Sequence, residues 1–272
     1  MEFIGEVMGT FLLVLFGCGA VAVSILYDAY EGLLQVALAW GIGVTLAIYL
    51  TRHISCAHLN PAVTLAMVLS KRMKINALPA YMTGQVIGAF LAGLAIYLLL
   101  GRVIVDFESI HGIVRGTPAS VRTARMFGDY YINAENPVKI SLLLAMGAEA
   151  FGTFLLLLMV FSLTEDSNTG RPDNSLTPVF IGLTVTSIIG LIAPLTQAGI
   201  NPARDFGPRM VAWIFGWKEI AFPDHYGGFF FVYILAPLIG GAVAAFFYVG
   251  IVGPAMKNST GECNCNTDDF QY

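Results

Sequence analysis

Two stretches decide the reading of this chain: "HLNPAVTLAMVL", from His58, and "GINPARDFGPRM", from Gly199. Each holds an Asn-Pro-Ala that opens a short helical run. Asn is a preferred N-cap and Pro is favoured at the first helical position, so the tripeptide marks a helix start. The runs that follow, about 60–70 and 201–214, are short. Eleven helical residues rise only about 17 Å, half of a hydrocarbon core of about 30 Å.

The rest of the chain supplies full crossings. Of its 272 residues, 57% are hydrophobic and 12% charged, against about a quarter charged in a typical soluble domain. Mean hydropathy is +0.74. Six segments are long and apolar enough to span a bilayer, at 3–26, 34–51, 77–101, 140–163, 176–194 and 228–253. The N-terminal segment has no positive leader region or cleavage site and is expected to stay as the first span. Lys71, Arg72 and Lys74 place the loop after the second span in the cytoplasm, with both termini on that side. Arg102, Arg115, Arg122, Arg125 and Lys139 in the 102–139 loop oppose that assignment in part. The formal net charge of −4 is spread over the loops, with no basic patch for nucleic acid. Cys18, Cys56, Cys263 and Cys265 are expected to be free thiols, with no metal site and no cofactor.

The chain repeats itself. "GEVMGTFLLVLFG" at 5–17 matches "AEAFGTFLLLLMV" at 148–160, aligning Glu6 with Glu149. "GQVIGAFLAG" from Gly84 resembles "APLIGGAVAA" from Ala236. Each half holds three spans and one half-span, and an odd number of spans inverts the second half relative to the first. The expected architecture is an all-α membrane protein with six transmembrane helices, two re-entrant half-helices and an inverted 3+3 repeat. It forms one channel domain over 1–256 (repeat one about 1–101, repeat two about 140–256), followed by a polar cytoplasmic tail at 257–272.

The chemistry follows from the half-helices. Two helix N-termini meet near the midplane, each carrying about half a positive charge. Asn60 and Asn201 cap them with their carbonyl oxygens and keep their NH₂ groups free as donors. The preceding residues are non-helical backbone, tolerated at this depth only beside a cavity or inside protein. Their carbonyls form a ladder of acceptors: Cys56, Ala57, His58 and Leu59 on one side, Gln197, Ala198, Gly199 and Ile200 on the other. A neutral hydroxyl exchanges its hydration for this lining, whereas a dehydrated cation meets two positive helix ends.

These motifs, "CAHLNPAVT" and "NPARDFGPR", resemble the signatures of the aquaporin, or major intrinsic protein, family, and the resemblance runs from Phe3 to about Met256. Asp205 after Arg204, Arg209, and the loop "FESIHGIVRGTPASV" are similar to the bacterial glycerol facilitator branch. The resemblance implies the Asn60-Pro61-Ala62 and Asn201-Pro202-Ala203 motifs at the pore centre and a filter of Trp40, Ile189, Ala198 and Arg204. It implies that Glu6, Glu149, Gln85 and Asp205 brace the non-helical loops. It further implies a homotetramer in the lipid of a bacterial inner membrane. Ile189 and Ala198 depart from the Gly and Phe usual in glycerol facilitators, and Tyr233-Ile234 departs from Pro and an aliphatic. The set looks closer to the nodulin-like plant intrinsic proteins. His58 is expected to help shape the cytoplasmic half of the pore, with Arg52 and His53 at its mouth. The expected function is a passive channel chiefly for glycerol with some water, not an enzyme. The alternatives are a water-selective channel, a channel for metalloid acids or protonated short carboxylic acids, and, in another class, a secondary transporter.

Overall fold

A computed structural model describes residues 1–132, 138–223 and 227–258. Its described residues hold six helices able to cross a membrane. They are α1 (Glu2–Tyr27), α2 (Leu33–Ser55), α4 (Leu78–Ile110), α5 (Leu142–Leu163), α6 (Thr177–Thr196) and α8 (Phe230–Asn258). Between them stand the half-helices α3 (Pro61–Leu69) and α7 (Pro202–Ala212). Cys263 and Cys265 lie outside the described residues.

Three helices differ from the hydropathy reading. α4 continues to Ile110 instead of ending near 101, because nothing in "RVIVDFESI" breaks a helix and Arg102 pairs with Asp106 one turn on. α2 runs on past Thr51 through Arg52 and His53 to Ser55, polar residues that end an apolar window but not a helix. α8 is not a uniform α-helix: π-type turns at Phe230–Leu235 and Tyr248–Val252 flank Ala236–Phe247.

The halves pack as equivalents. α1 lies on α2 and α4, and α5 lies on α6 and α8. Each half-helix crosses to the third span of the other half, α3 on α8 and α7 on α4. α2 and α6 meet at Gly41 and Gly182, where a Cβ on either residue would strike the other's carbonyl. Beside them Thr45 donates to Pro178 O at 3.2 Å and Thr186 to Ala37 O at 3.2 Å, a reciprocal pair across the pseudo-twofold axis. Within the halves, Gly88 admits the backbone of α1 at Val7, and Gly240 admits that of α5 at Ala150. In lipid, where apolar burial does not drive helix association, such close backbone approach supplies dispersion contact.

Gly240 therefore tests the packing. Gly240→Ala places a methyl group against the Ala150 carbonyl and is expected to cost about 1–3 kcal/mol. Gly147→Ala, which meets open space, should leave stability near that of the parent. The unfolding temperatures of the two purified variants in detergent make the comparison.

Candidate solute pore

The two non-helical segments have the same backbone. Cys56, Ala57 and Leu59 have positive φ angles of 62°, 52° and 54°, and Gln197, Ala198 and Ile200 have 70°, 66° and 42°. These are the same positions relative to each Asn-Pro-Ala. Left-handed conformation at non-glycine residues costs roughly 1–3 kcal/mol each, and it persists only where surroundings impose it.

Buried carboxylates do so. Glu6 accepts from the His58 N–H at 3.0 Å and the Leu59 N–H at 2.7 Å. Glu149 accepts from the Gly199 N–H at 2.9 Å and the Ile200 N–H at 2.6 Å. In a trans peptide the carbonyl points opposite the N–H. The carbonyls of Ala57, His58, Ala198 and Gly199 are thereby turned away from the glutamates. Tyrosines complete each loop, Tyr81 donating to Ser55 O and Tyr233 to Thr196 O, the latter at 2.9 Å. Tyr233, which departs from the glycerol-facilitator pattern, thus occupies the repeat position of Tyr81.

Gln85 and Asp205 act elsewhere than on the loop N–H groups. Gln85 spends its amide donors on Glu6 at 2.6 Å and on the Thr64 hydroxyl at 2.9 Å, because an NH₂ beside a carboxylate bonds the carboxylate. Asp205 accepts the Asp129 N–H at 2.8 Å and pairs with Arg209, so it holds the α4–α5 connection instead.

At the centre the asparagines cap as expected. Asn60 Oδ1 accepts from Ala62 N at 2.9 Å, and Asn201 Oδ1 from Ala203 N at 3.0 Å and Arg204 N at 3.2 Å. Their NH₂ groups are not wholly free. Asn60 Nδ2 donates to Ile200 O at 2.9 Å and Asn201 Nδ2 to Leu59 O at 2.8 Å. One N–H of each amide is spent across the axis, and the other remains. The Leu59 and Ile200 carbonyls, expected as ladder rungs, are partly occupied by these bonds.

A cavity of about 560 Å³ runs through this region. Trp40, Ile189, Ala198 and Arg204 all line it, as do Asn60 and Asn201. So do Cys56, Ala57, His58, Leu59 and Ile200. Gln197 and Gly199 are not in its wall. Gln197 turns its side-chain oxygen to the Tyr130 N–H at 2.8 Å. The Arg204 guanidinium stands 4.3 Å from the Trp40 ring centroid, and Gly17 gives that ring its space. At the opposite mouth Arg52 donates to Asn174 O at 2.7 Å and to His53 Nε2 at 3.2 Å. Arg72 there pairs with Glu165 at 2.6 Å. Slight burial raises the Glu165 pKa, but the Ser167 N–H and hydroxyl, with Arg72, outweigh it and hold the carboxyl below its usual range.

The residue that sequence reasoning missed is Asp129, buried in the α4–α5 connection with its carboxylate on Arg204. It has no counterpart in the other half, so the repeat gave no signal for it. A lone acid following Arg115, Arg122 and Arg125 was the available clue.

A sequence profile described as Major intrinsic protein matches residues 1–248. The chain belongs to the major intrinsic protein family. Among relatives of this family member, the glycerol uptake facilitator protein of Haemophilus influenzae is 38% identical over 269 residues, covering 97% of each chain. The glycerol uptake facilitator protein of Escherichia coli K12 is 40% identical over 254 residues, covering 92% of this chain and 87% of its own. The X-ray structure of the aquaglyceroporin from Plasmodium falciparum superposes with a TM-score of 0.82 at 26% identity, covering 95% of this chain and 98% of its own. Family membership makes the chain an integral membrane channel with the aquaporin fold.

The glutamate braces predict a stability effect. Glu149→Gln replaces one acceptor oxygen with an NH₂ that faces a backbone donor. The variant is expected to lose about 1–3 kcal/mol. Thermal unfolding in detergent, compared with the parent protein, measures the loss.

Proposed function

We propose that this protein conducts small uncharged solutes passively, with glycerol the chief substrate and water a lesser one. The observation that carries the reading is the pairing of Arg204 with Trp40 in the wall of a cavity that also contains Asn60 and Asn201. A polyol has a hydroxyl edge and a hydrocarbon edge. Guanidinium supplies fixed donors to the first, and indole supplies an apolar wall to the second. The names of the curated relatives point to the same substrate.

Cations and protons are excluded in this reading by three features. The half-helices aim two positive ends at the centre. The crosswise bonds fix the Asn60 and Asn201 donors, so a water between them donates outward in both directions and relays no proton. The cavity wall offers apolar side chains such as Leu13, Val44, Leu156 and Val185 in place of a hydration shell. The cluster of Lys71, Arg72 and Lys74 assigns the Arg52–Arg72 mouth to the cytoplasm and the Arg204 end to the exterior. Four copies side by side in the lipid complete the proposed assembly.

Ile189 and Ala198 shape the filter opposite the guanidinium. Ala198→Phe is expected to change the ratio of glycerol to urea uptake severalfold, because one ring narrows the wall that Ala198 leaves open. Stopped-flow light scattering on proteoliposomes reads water, glycerol and urea fluxes together. Unchanged ratios would remove Ala198 from the filter, and water flow without glycerol flux would make this a water-selective channel.

Cys56 is exposed in the cavity wall, whereas Cys18 is buried. Mercurial treatment should therefore reduce glycerol flux severalfold in the parent and leave Cys56→Ser flux unchanged. Equal inhibition of both proteins would place the reactive thiol elsewhere.

A further inference from the structure

Asp129 lies outside both repeats, yet it is built into the filter. It is 4% exposed, and its carboxylate forms an ion pair with Arg204 Nη1. Its N–H donates to Asp205 Oδ1 at 2.8 Å, and its carbonyl accepts from Arg209. The connection that carries it is pinned further back. Arg115 and Thr123 both bond Glu108, at 2.8 and 2.7 Å, and Trp217 donates to Thr123 at 3.0 Å. The carboxylate is therefore presented to Arg204 by a fixed frame.

The charges around the filter sort into two pairs. Asp205 meets Arg209 through bonds of 2.6 and 2.9 Å, and its distance to Arg204 Nη1 is 3.8 Å. That pair closes on itself. Arg204 is then balanced by Asp129. Without this balance the pore would carry two positive helix ends and a full guanidinium charge along one path. Such a path repels cations and attracts anions, since fixed charges lining a pore set the sign of the ion it admits.

We propose that Asp129 is a specificity-determining residue, acting through Arg204: it cancels the guanidinium charge and anchors Nη1, so that the filter selects hydroxyl groups and gives anions no net attraction. Of the five guanidinium N–H donors, those not directed at Asp129 serve the solute. The carboxylate thus separates two properties that Arg otherwise supplies together, hydrogen-bond donation and positive charge. This inference rests on the channel reading above.

The test uses purified full-length protein in proteoliposomes. Glycerol influx is read by light scattering, and nitrate or potassium flux is read under an imposed ion gradient with the membrane potential clamped. Asp129→Asn is expected to raise nitrate flux about tenfold over the parent, by leaving one positive charge uncompensated in the filter. Asp129→Glu should keep nitrate excluded. Adding Arg204→Gln to Asp129→Asn should return nitrate to the parental level, an outcome that damage to packing would not produce. Arg204→Gln alone leaves Asp129 unbalanced and should pass potassium faster than the double variant does. Nitrate exclusion by folded, glycerol-conducting Asp129→Asn would overturn the proposal. So would equal nitrate leaks in the single and double variants. If Asp129→Asn does not fold, Arg204→Gln alone decides against the parent, and potassium flux no higher than the parent's would overturn the proposal. Parent vesicles that take up no glycerol would instead overturn the channel reading.

Discussion

Everything in this pore depends on two carboxylates that hold backbone N–H groups where water cannot reach them. A segment that leaves helical geometry inside a membrane exposes donors and acceptors, each costing several kcal/mol if unpaired. Glu6 and Glu149 take up the donors on the outer side of each loop. The acceptors can then face a cavity. The left-handed residues at Cys56, Ala57, Leu59, Gln197, Ala198 and Ile200 are the backbone expression of this division. A capped half-helix follows in each case, since the loop delivers its Asn in extended conformation at the N-cap.

Symmetry governs the centre, and its failure governs selectivity. The braces, tyrosines, caps and glycine contacts occur in matched pairs. The filter does not. Trp40 and Ile189 come from corresponding spans but differ in size and chemistry, and Arg204 has Val63, not a second arginine, as its counterpart in the repeat. The α4–α5 connection then adds Asp129, which neither half encodes twice. A symmetric scaffold thus supplies a path through the bilayer, and asymmetric side chains at one end decide what takes it.

Much of the architecture was legible because hydropathy and repetition are sequence-wide signals. The six spans, the two half-spans and the equivalence of Glu6 with Glu149 needed no coordinates. Helix ends were less legible: α4 runs past Gly101 because a helix ends where its hydrogen bonding fails, not where its apolar run does. The Asn60 and Asn201 caps followed from residue preference, but the bonds from their NH₂ groups to Ile200 and Leu59 did not, since these require knowing how the halves approach. Gln85 was expected to brace a loop directly, but its donors go to Glu6 and Thr64, a pairing that depends on how α4 packs against α1 and α3. The pairing of Asp129 with Arg204 needed the structure, because the two lie far apart along the chain and no repeated motif marks Asp129.

The crosswise bonds between Asn60 and Ile200, and between Asn201 and Leu59, carry a consequence for origin. Each half offers one amide and one carbonyl that it cannot satisfy by itself, and the opposite half supplies both. A half-length protein inserting into the membrane in both orientations would close the same ring of bonds as a pair of identical subunits. Fusion of two such genes would preserve that ring while releasing each copy to diverge, which is the condition under which one end of the pore acquires an arginine and its counter-charge.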